Sequence, residues 1–318
     1  MTTPSYTDAL NEALLRLRDV GFEHGPSFVN HAPMAAEALA RMGYTAEVPD
    51  WVDRNLRYRS YHDRPETRWP LSPQDRTDWE GALGDFGRVA DWAAMFRREL
   101  DEAPWTDVLA RWWPRLLPGL SGALTHGAIR TAHAVRALAM ATGDSGLLLA
   151  ELAEGLGYWA ARYSARPNGT GAAAGLSGAP GDGGSVAHAL DQLVASASGF
   201  YATARTSNPI GLIHSITAPA AVRLVCEYLP AEQHLPSYRA VLECSRWIQS
   251  WGGTPAAPAA QAPEPPSDAE LFATAAEIGD EHAIKLAEVA LRHNALVPDP
   301  RYAAAADAAN RALRRFAL

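Results

Sequence analysis

The sequence predicts an all-α protein, and three observations carry the prediction. Apolar residues recur at three- and four-residue spacing along almost all of the 318-residue chain. Runs of alternating Val, Ile and Thr, the mark of half-buried strands, are missing. Gly and Pro concentrate between the periodic runs, where helices should stop.

The first helix follows Thr7, a suitable N-cap, and carries Leu10, Ala13, Leu14 and Leu17 on one face. A second spans 34–42 and ends at Gly43, which suits the left-handed position past a helix end. Helices over 89–100, 105–113 and 120–140 follow, with Pro114 and Pro118 punctuating the approach to the last. A helix over 145–163 is weakened by Gly155 and Gly157. The remaining helices are expected over 186–204, 210–228, 238–251, 268–293 and 302–316.

Three segments break this pattern. Residues 167–185 are rich in Gly and Ala, and 253–267 in Pro and Ala; both read as flexible loops. A single domain over 1–318 is expected, because a His-Lys motif beyond the second loop would complete a site with earlier helices. Residues 54–76 are polar and aromatic-rich, with Tyr58, Tyr61, His62 and Trp69, and suit a lid or substrate loop.

Composition excludes several classes. A net charge of −8 and a pI near 5.7 argue against a nucleic-acid partner, which favours a basic face. Hydrophobic residues at 47% and charged residues at 20% fit a globular chain rather than a disordered one. Two cysteines, Cys226 and Cys244, cannot build a sulfur-rich metal site or a disulfide framework, so a reduced, cytoplasmic setting is expected. The first residues lack a basic segment before an apolar run, and no uninterrupted apolar stretch reaches about 18 residues. Neither a signal peptide nor a membrane partner is expected.

Common cofactor motifs are also missing. The segment Gly169-Thr170-Gly171-Ala172-Ala173-Ala174-Gly175 is one residue longer than the dinucleotide fingerprint and follows no strand. There is no phosphate loop with lysine, no HExxH helix, no Glu-x-x-His pair and no G-x-S-x-G elbow.

What remains is histidine, ten in all, and one lysine. His126 and His133 are seven apart, nearly two turns, so they leave one helix face with Cα atoms about 10 Å apart. At least one can ligate a metal, with the other ligating or supporting it. His282 and Lys285 are three apart and share a face. His214 sits on an otherwise apolar helix, where an imidazole is either hydrogen-bonded or given to a metal. His31 stands where a loop enters a helix, and capping is the ordinary role there.

Lys285 is the single lysine among 28 Lys and Arg residues. Arginine-biased usage accounts for its rarity, and a surface ion pair with Glu281, four residues earlier, would give it an ordinary role. Lysine nevertheless does what arginine cannot. A desolvated amine loses its proton and becomes a nucleophile, forming a Schiff base or capturing carbon dioxide as a carbamate. A carbamate is a carboxylate on a long arm and can bind metal. It requires a buried lysine whose pKa is lowered.

The string His24-Gly25-Pro26-Ser27-Phe28-Val29-Asn30-His31-Ala32-Pro33-Met34-Ala35-Ala36-Glu37-Ala38-Leu39 resembles the start of the questin oxidase-like family. The His-Gly-x-Ile-Arg-x-x-His segment at 126–133, His-Ser-Ile-Thr at 214–217 and His-Ala-Ile-Lys at 282–285 extend the resemblance. It implies an α-helical enzyme of aromatic polyketide metabolism. Members open anthraquinone-type rings oxygenatively, in some cases by Baeyer–Villiger-like, NADPH-linked chemistry. A related branch is a mononuclear non-haem iron dioxygenase, with four histidines and a carboxylated lysine on the iron. By that resemblance Lys285 is the carboxylated lysine and His282 its neighbouring ligand, and the other three come from His31, His126, His133 and His214.

The expectation is therefore an Fe(II)-dependent oxygenase that uses dioxygen to cleave a quinone-type ring. A donor set of imidazoles and one anionic oxygen suits Fe(II), Zn or Cu. His24, His62, Tyr58, Tyr61 and Thr217 are candidates for substrate contact or proton transfer, and Trp69 for stacking on a flat ligand. Two alternatives stand beside it. One is an NADPH-dependent Baeyer–Villiger-type monooxygenase of the same substrate class. The other is a non-catalytic helical protein that binds a polyketide.

Overall fold

The computed structural model describes residues 3–143, 145–165, 185–250, 254–255 and 266–316. The protein is all-α: the described residues form fourteen α-helices and only four two-residue strands. Most of 167–185 and of 253–267, the expected loops, lies outside the described residues. The chain divides into two compact units, Met1–Arg166 with Leu224–Gln233, and Pro167–Arg223 with His234–Leu318.

The first unit opens with α1 (Tyr6–Leu17). Its N-cap is Ser5, whose side chain accepts from the Asp8 N–H, rather than Thr7. Thr7 is instead buried and its hydroxyl accepts from Thr142 N at 3.0 Å. A short antiparallel hairpin follows, β1 (Glu23–His24) with β2 (Phe28–Val29), its turn using Gly25 at φ 54° and Ser27 at φ 90°. The hairpin delivers the chain into α2 (Ala32–Arg41), which ends before Gly43 at φ 90° as expected.

Two further helices overlap the two ends of the segment read as a loop, 54–76. Residues of the expected lid form the end of α3 (Val48–Tyr58), and α4 (Arg76–Ala82) follows it. A proline at the start of α3 and the Asp75 cap of α4 supply the local reasons. Next come α5 (Val89–Glu102), α6 (Trp105–Leu116), α7 (His126–Met140) and α8 (Gly146–Ala161). Pro114 lies inside α6 instead of ending it.

The helix predicted over 120–140 starts only at His126. Ala123, Leu124 and Thr125 take φ of 43°, 52° and 69°, left-handed values that break the helix before it. Such a conformation costs a non-glycine residue about 1–2 kcal/mol.

The core of this unit is aromatic. Trp112 meets Trp79, Trp92 and Phe96 edge-on, with ring centroids 5.4, 5.8 and 5.0 Å away. α8 packs against both α5 and α7, and glycine makes this possible. A Cβ on Gly127 would lie 2.4 Å from Trp159 Cβ, and one on Gly157 would lie 2.9 Å from Ala93 N. Gly157, read from sequence as a weak point, is a contact point between backbones.

The second unit contains α9 (Val186–Thr203), most of α10 (Pro209–Val225), α11 (His234–Ser250), α12 (Asp268–Ile278), α13 (Glu281–Leu296) and α14 (Pro300–Leu313). The helix predicted over 268–293 is two helices. Gly279, at φ 74°, ends α12, and Asp280 caps α13 by accepting from His282 N at 2.9 Å. Polar ties join the helices of this unit. Tyr302 donates to Asp191 O at 3.3 Å, Asn310 to Leu271 O at 2.9 Å, and Ser245 to Ser215 O at 2.8 Å. Two-residue strands β3 (Ala204–Arg205) and β4 (Thr254–Pro255) pair antiparallel. The stretch Pro209–Tyr228 is long and apolar enough to cross a membrane, at mean hydropathy 1.4, but 78% of it is buried as a core helix would be.

Candidate metal centre

In the first unit, His31 and His126 come together. His31 occupies the N-cap position of α2, yet its side chain makes no cap bond; Asn30 Oδ1 accepts from Ala32 N instead. The imidazole is thereby released from the expected capping role. Its Nε2 lies 2.6 Å from His126 Nε2, with the rings at 79°. Both residues are buried.

The left-handed turn before α7 sets the tautomer of His126. It aims the Ala123 carbonyl at His126 Nδ1, 2.5 Å away, so Nδ1 carries the proton and donates. Nε2 is left with its lone pair toward His31. A histidine whose second nitrogen is anchored on a backbone carbonyl is arranged as metal-ligating histidines are.

His133 takes a different partner. Its Nδ1 lies 2.6 Å from Glu37 Oε2, and Glu37 also accepts from Tyr6 at 2.5 Å and from Arg136 Nε at 2.8 Å. Burial alone would raise the Glu37 pKa. The Arg136 charge and the His133 hydrogen bond outweigh it and hold the carboxyl well below its ordinary 4.5. A depressed carboxylate stabilises the fold fully above its unfolded value, near pH 4.5, and progressively less as pH falls below that. Glu37→Gln breaks a buried ion pair and is expected to cost roughly 3–5 kcal/mol near neutrality. The same variant should lose less additional stability on acidification than the parent. Urea denaturation near pH 7 and near pH 3 measures both effects.

In the second unit, His214 and His282 face each other with ring centroids 5.6 Å apart. Both are buried. His214 Nδ1 donates to Ile210 O at 3.1 Å, again leaving Nε2 as the ligand atom. Asp280, Glu281 and His282 are buried together, with their ligand atoms within 4.8 Å of one another, and could hold a metal ion. Burial would raise Asp280, but its hydrogen bond with His282 and that residue's charge lower it.

Lys285 stands one turn beyond His282 on α13 and is only 1% exposed. Glu281 stands one turn before it on the same helix, and the Glu281 charge acts on its amine. Burial pushes its pKa down to about 8, against the opposing charges of Glu281 and Asp280. At neutral pH roughly a tenth of such amines are uncharged and reactive.

The other candidates make local contacts of their own. His24 is buried against Tyr61 at 5.4 Å and Phe28 at 5.7 Å. Tyr61 donates to Asn55 at 2.6 Å, and the exposed His62 reaches Gly25 O at 2.7 Å. Tyr58 and Trp69 are exposed, with Arg88 over the Trp69 ring at 5.2 Å. Thr217 is buried on α10, one turn past His214, and donates to Ile213 O at 3.4 Å.

Sequence reasoning missed Glu37, Asp280 and the Ala123 carbonyl. An Asp directly before a helix start is a legible cap signal. The carbonyl's direction and the Glu37 contact to His133, 96 residues away, are tertiary. The chain matches no protein-family model and no curated protein.

Proposed function

We propose that this protein is a metal-dependent oxygenase, with Fe(II) as its metal and a quinone-type aromatic polyketide as its substrate. The observation that carries the reading is Lys285: a buried amine with lowered pKa, one turn from a buried histidine. An amine buried in this way is costly unless it serves a purpose. Carbamylation supplies one, since the amine adds carbon dioxide, releases a proton and becomes an anionic oxygen ligand.

By the resemblance of their sequence segments, His31, His126, His214, His282 and carbamylated Lys285 would hold the ion. Each of the four histidines is buried and offers one ring nitrogen. Two of them, His126 and His214, already have the other nitrogen committed to a backbone carbonyl. Imidazoles with one anionic oxygen suit Fe(II), and the resemblance of 24–39, 126–133, 214–217 and 282–285 to questin oxidase-like sequences favours that metal and that substrate class. When bound, the metal supplies redox chemistry toward dioxygen.

The chain's own groups have separate tasks. Ala123 O and Ile210 O fix the ring orientation of their histidines. Asp280 holds the start of α13, and so the position of His282 and Lys285. The buried His24, beside Tyr61, is the candidate to exchange a proton with substrate. His133 serves Glu37 and is not a ligand in this reading.

Elemental analysis of purified single variants tests the ligand set. His126→Ala and His282→Ala should each lose the metal, whereas His133→Ala should keep it. Metal retained in His126→Ala and lost in His133→Ala would reverse the assignment on α7. Full metal in all three would remove the histidine site altogether.

A further inference from the structure

The first unit contains a second chemically distinctive place, a cavity of about 810 Å³ beside α4 and α6. Three guanidinium groups line it, Arg76, Arg111 and Arg115, against one lining carboxylate, Glu80. In a chain of net charge −8 this is a local reversal of sign. Arg76 donates to Glu80 at 2.8 Å, and Arg111 to Glu99 at 2.5 Å. Arg115 makes no ion pair with a carboxylate among the described residues, although the Glu99 charge acts on it. Its guanidinium lies over the rings of Trp112 at 4.5 Å and Trp79 at 5.2 Å, and its buried Nη1 makes no hydrogen bond among the described residues. Burial and the like charges of Arg111 and Arg76 disfavour its charged form, and outweigh the opposing Glu99 charge. Stacking on two indoles holds the group rigid, so little freedom remains to be lost on binding. The rest of the wall is largely apolar, with Leu83, Pro118 and Tyr163.

We propose that this cavity binds a small organic anion, its oxyanion head against Arg115, Arg111 and Arg76 and its apolar body against Leu83 and Tyr163. An anion supplies the hydrogen-bond acceptor that Arg115 Nη1 lacks and offsets the repulsion among three clustered cations. None of the histidines assigned to the metal lines this cavity. Binding here is therefore separable from the metal centre.

The test is calorimetric titration of the full chain with 1-naphthoate and, separately, with inorganic phosphate. Naphthoate should bind more tightly than phosphate, and added salt should weaken it. Arg115→Gln and Arg76→Gln should each weaken naphthoate by roughly tenfold, the scale of one charge-assisted hydrogen bond. Arg76 is 79% exposed along its side chain, so its variant should fold even if the stacked Arg115 variant does not. Metal content should not change in the Arg76 variant. No binding of naphthoate, phosphate binding as tight as naphthoate, or affinity unchanged in Arg76→Gln would overturn the proposal.

Discussion

Lys285→Arg is expected to abolish metal binding while preserving a charge at the same place. Arginine cannot lose its proton under ordinary conditions and cannot become a carbamate. Removing a group that only supports a metal ligand costs roughly 10–100-fold in affinity, so loss of a ligand should exceed that range. Lys285→Met is the companion variant, because it fills a similar volume without burying an amine. It should fold and be at least as stable as the parent, since Lys285 is 1% exposed and burial disfavours its charged amine. It should also be metal-free. Lys285→Ala should regain part of its metal when formate or acetate is added, the small carboxylate standing where the carbamate would be. Metal content near that of the parent in both Lys285→Arg and Lys285→Met would refute a ligand role.

Gly127→Ala is expected to have the largest effect on the fold. The added methyl would lie 2.4 Å from Trp159 Cβ and 2.5 Å from Trp159 Cα, where the backbone itself must move. Overpacking of this kind costs about 3 kcal/mol or more, above the median for point changes. The glycine lies one residue past His126, so the strain would also move the His31–His126 pair. Thermal denaturation should register a large drop in midpoint. An unchanged midpoint would mean that α7 and α8 can separate freely, against the buried state of Trp159.

The helices were legible because burial on one face imposes a 3.6-residue period, and the long elements of both units follow it. The errors fall where a local backbone conformation wins over that period. Nothing in Ala123-Leu124-Thr125 announces left-handed φ, since none is glycine; the turn is imposed from outside. By contrast, Gly279-Asp280 is a stop followed by a cap, and the split of 268–293 could have been read from it. The first residues of the expected lid are helical because Val48-Pro49 starts α3 well, a signal masked by the polar sequence after it.

The candidate centre was legible in part for the same reason. Periodicity places His126 and His133 on one face, but only tertiary packing brings Glu37 to His133 and His31 to His126. Lys285 stood out by its singularity, yet its sequence neighbour Glu281 predicted a surface ion pair. Burial at the second turn of α13 takes that lysine out of solvent and lowers the amine's pKa to about 8 against the opposing Glu281 charge. A spacing rule for exposed helices does not transfer to a helix buried along most of its length.

The most direct test of the metal-centre assignment is a crystal structure of protein loaded anaerobically with Fe(II), with anomalous differences recorded at the iron edge. One iron peak should appear, contacted by the Nε2 atoms of His31, His126 and His214, by a ring nitrogen of His282, and by new density continuous with Lys285 Nζ. An iron peak elsewhere, or a bare Lys285 amine beside a fully occupied iron, would contradict the assignment.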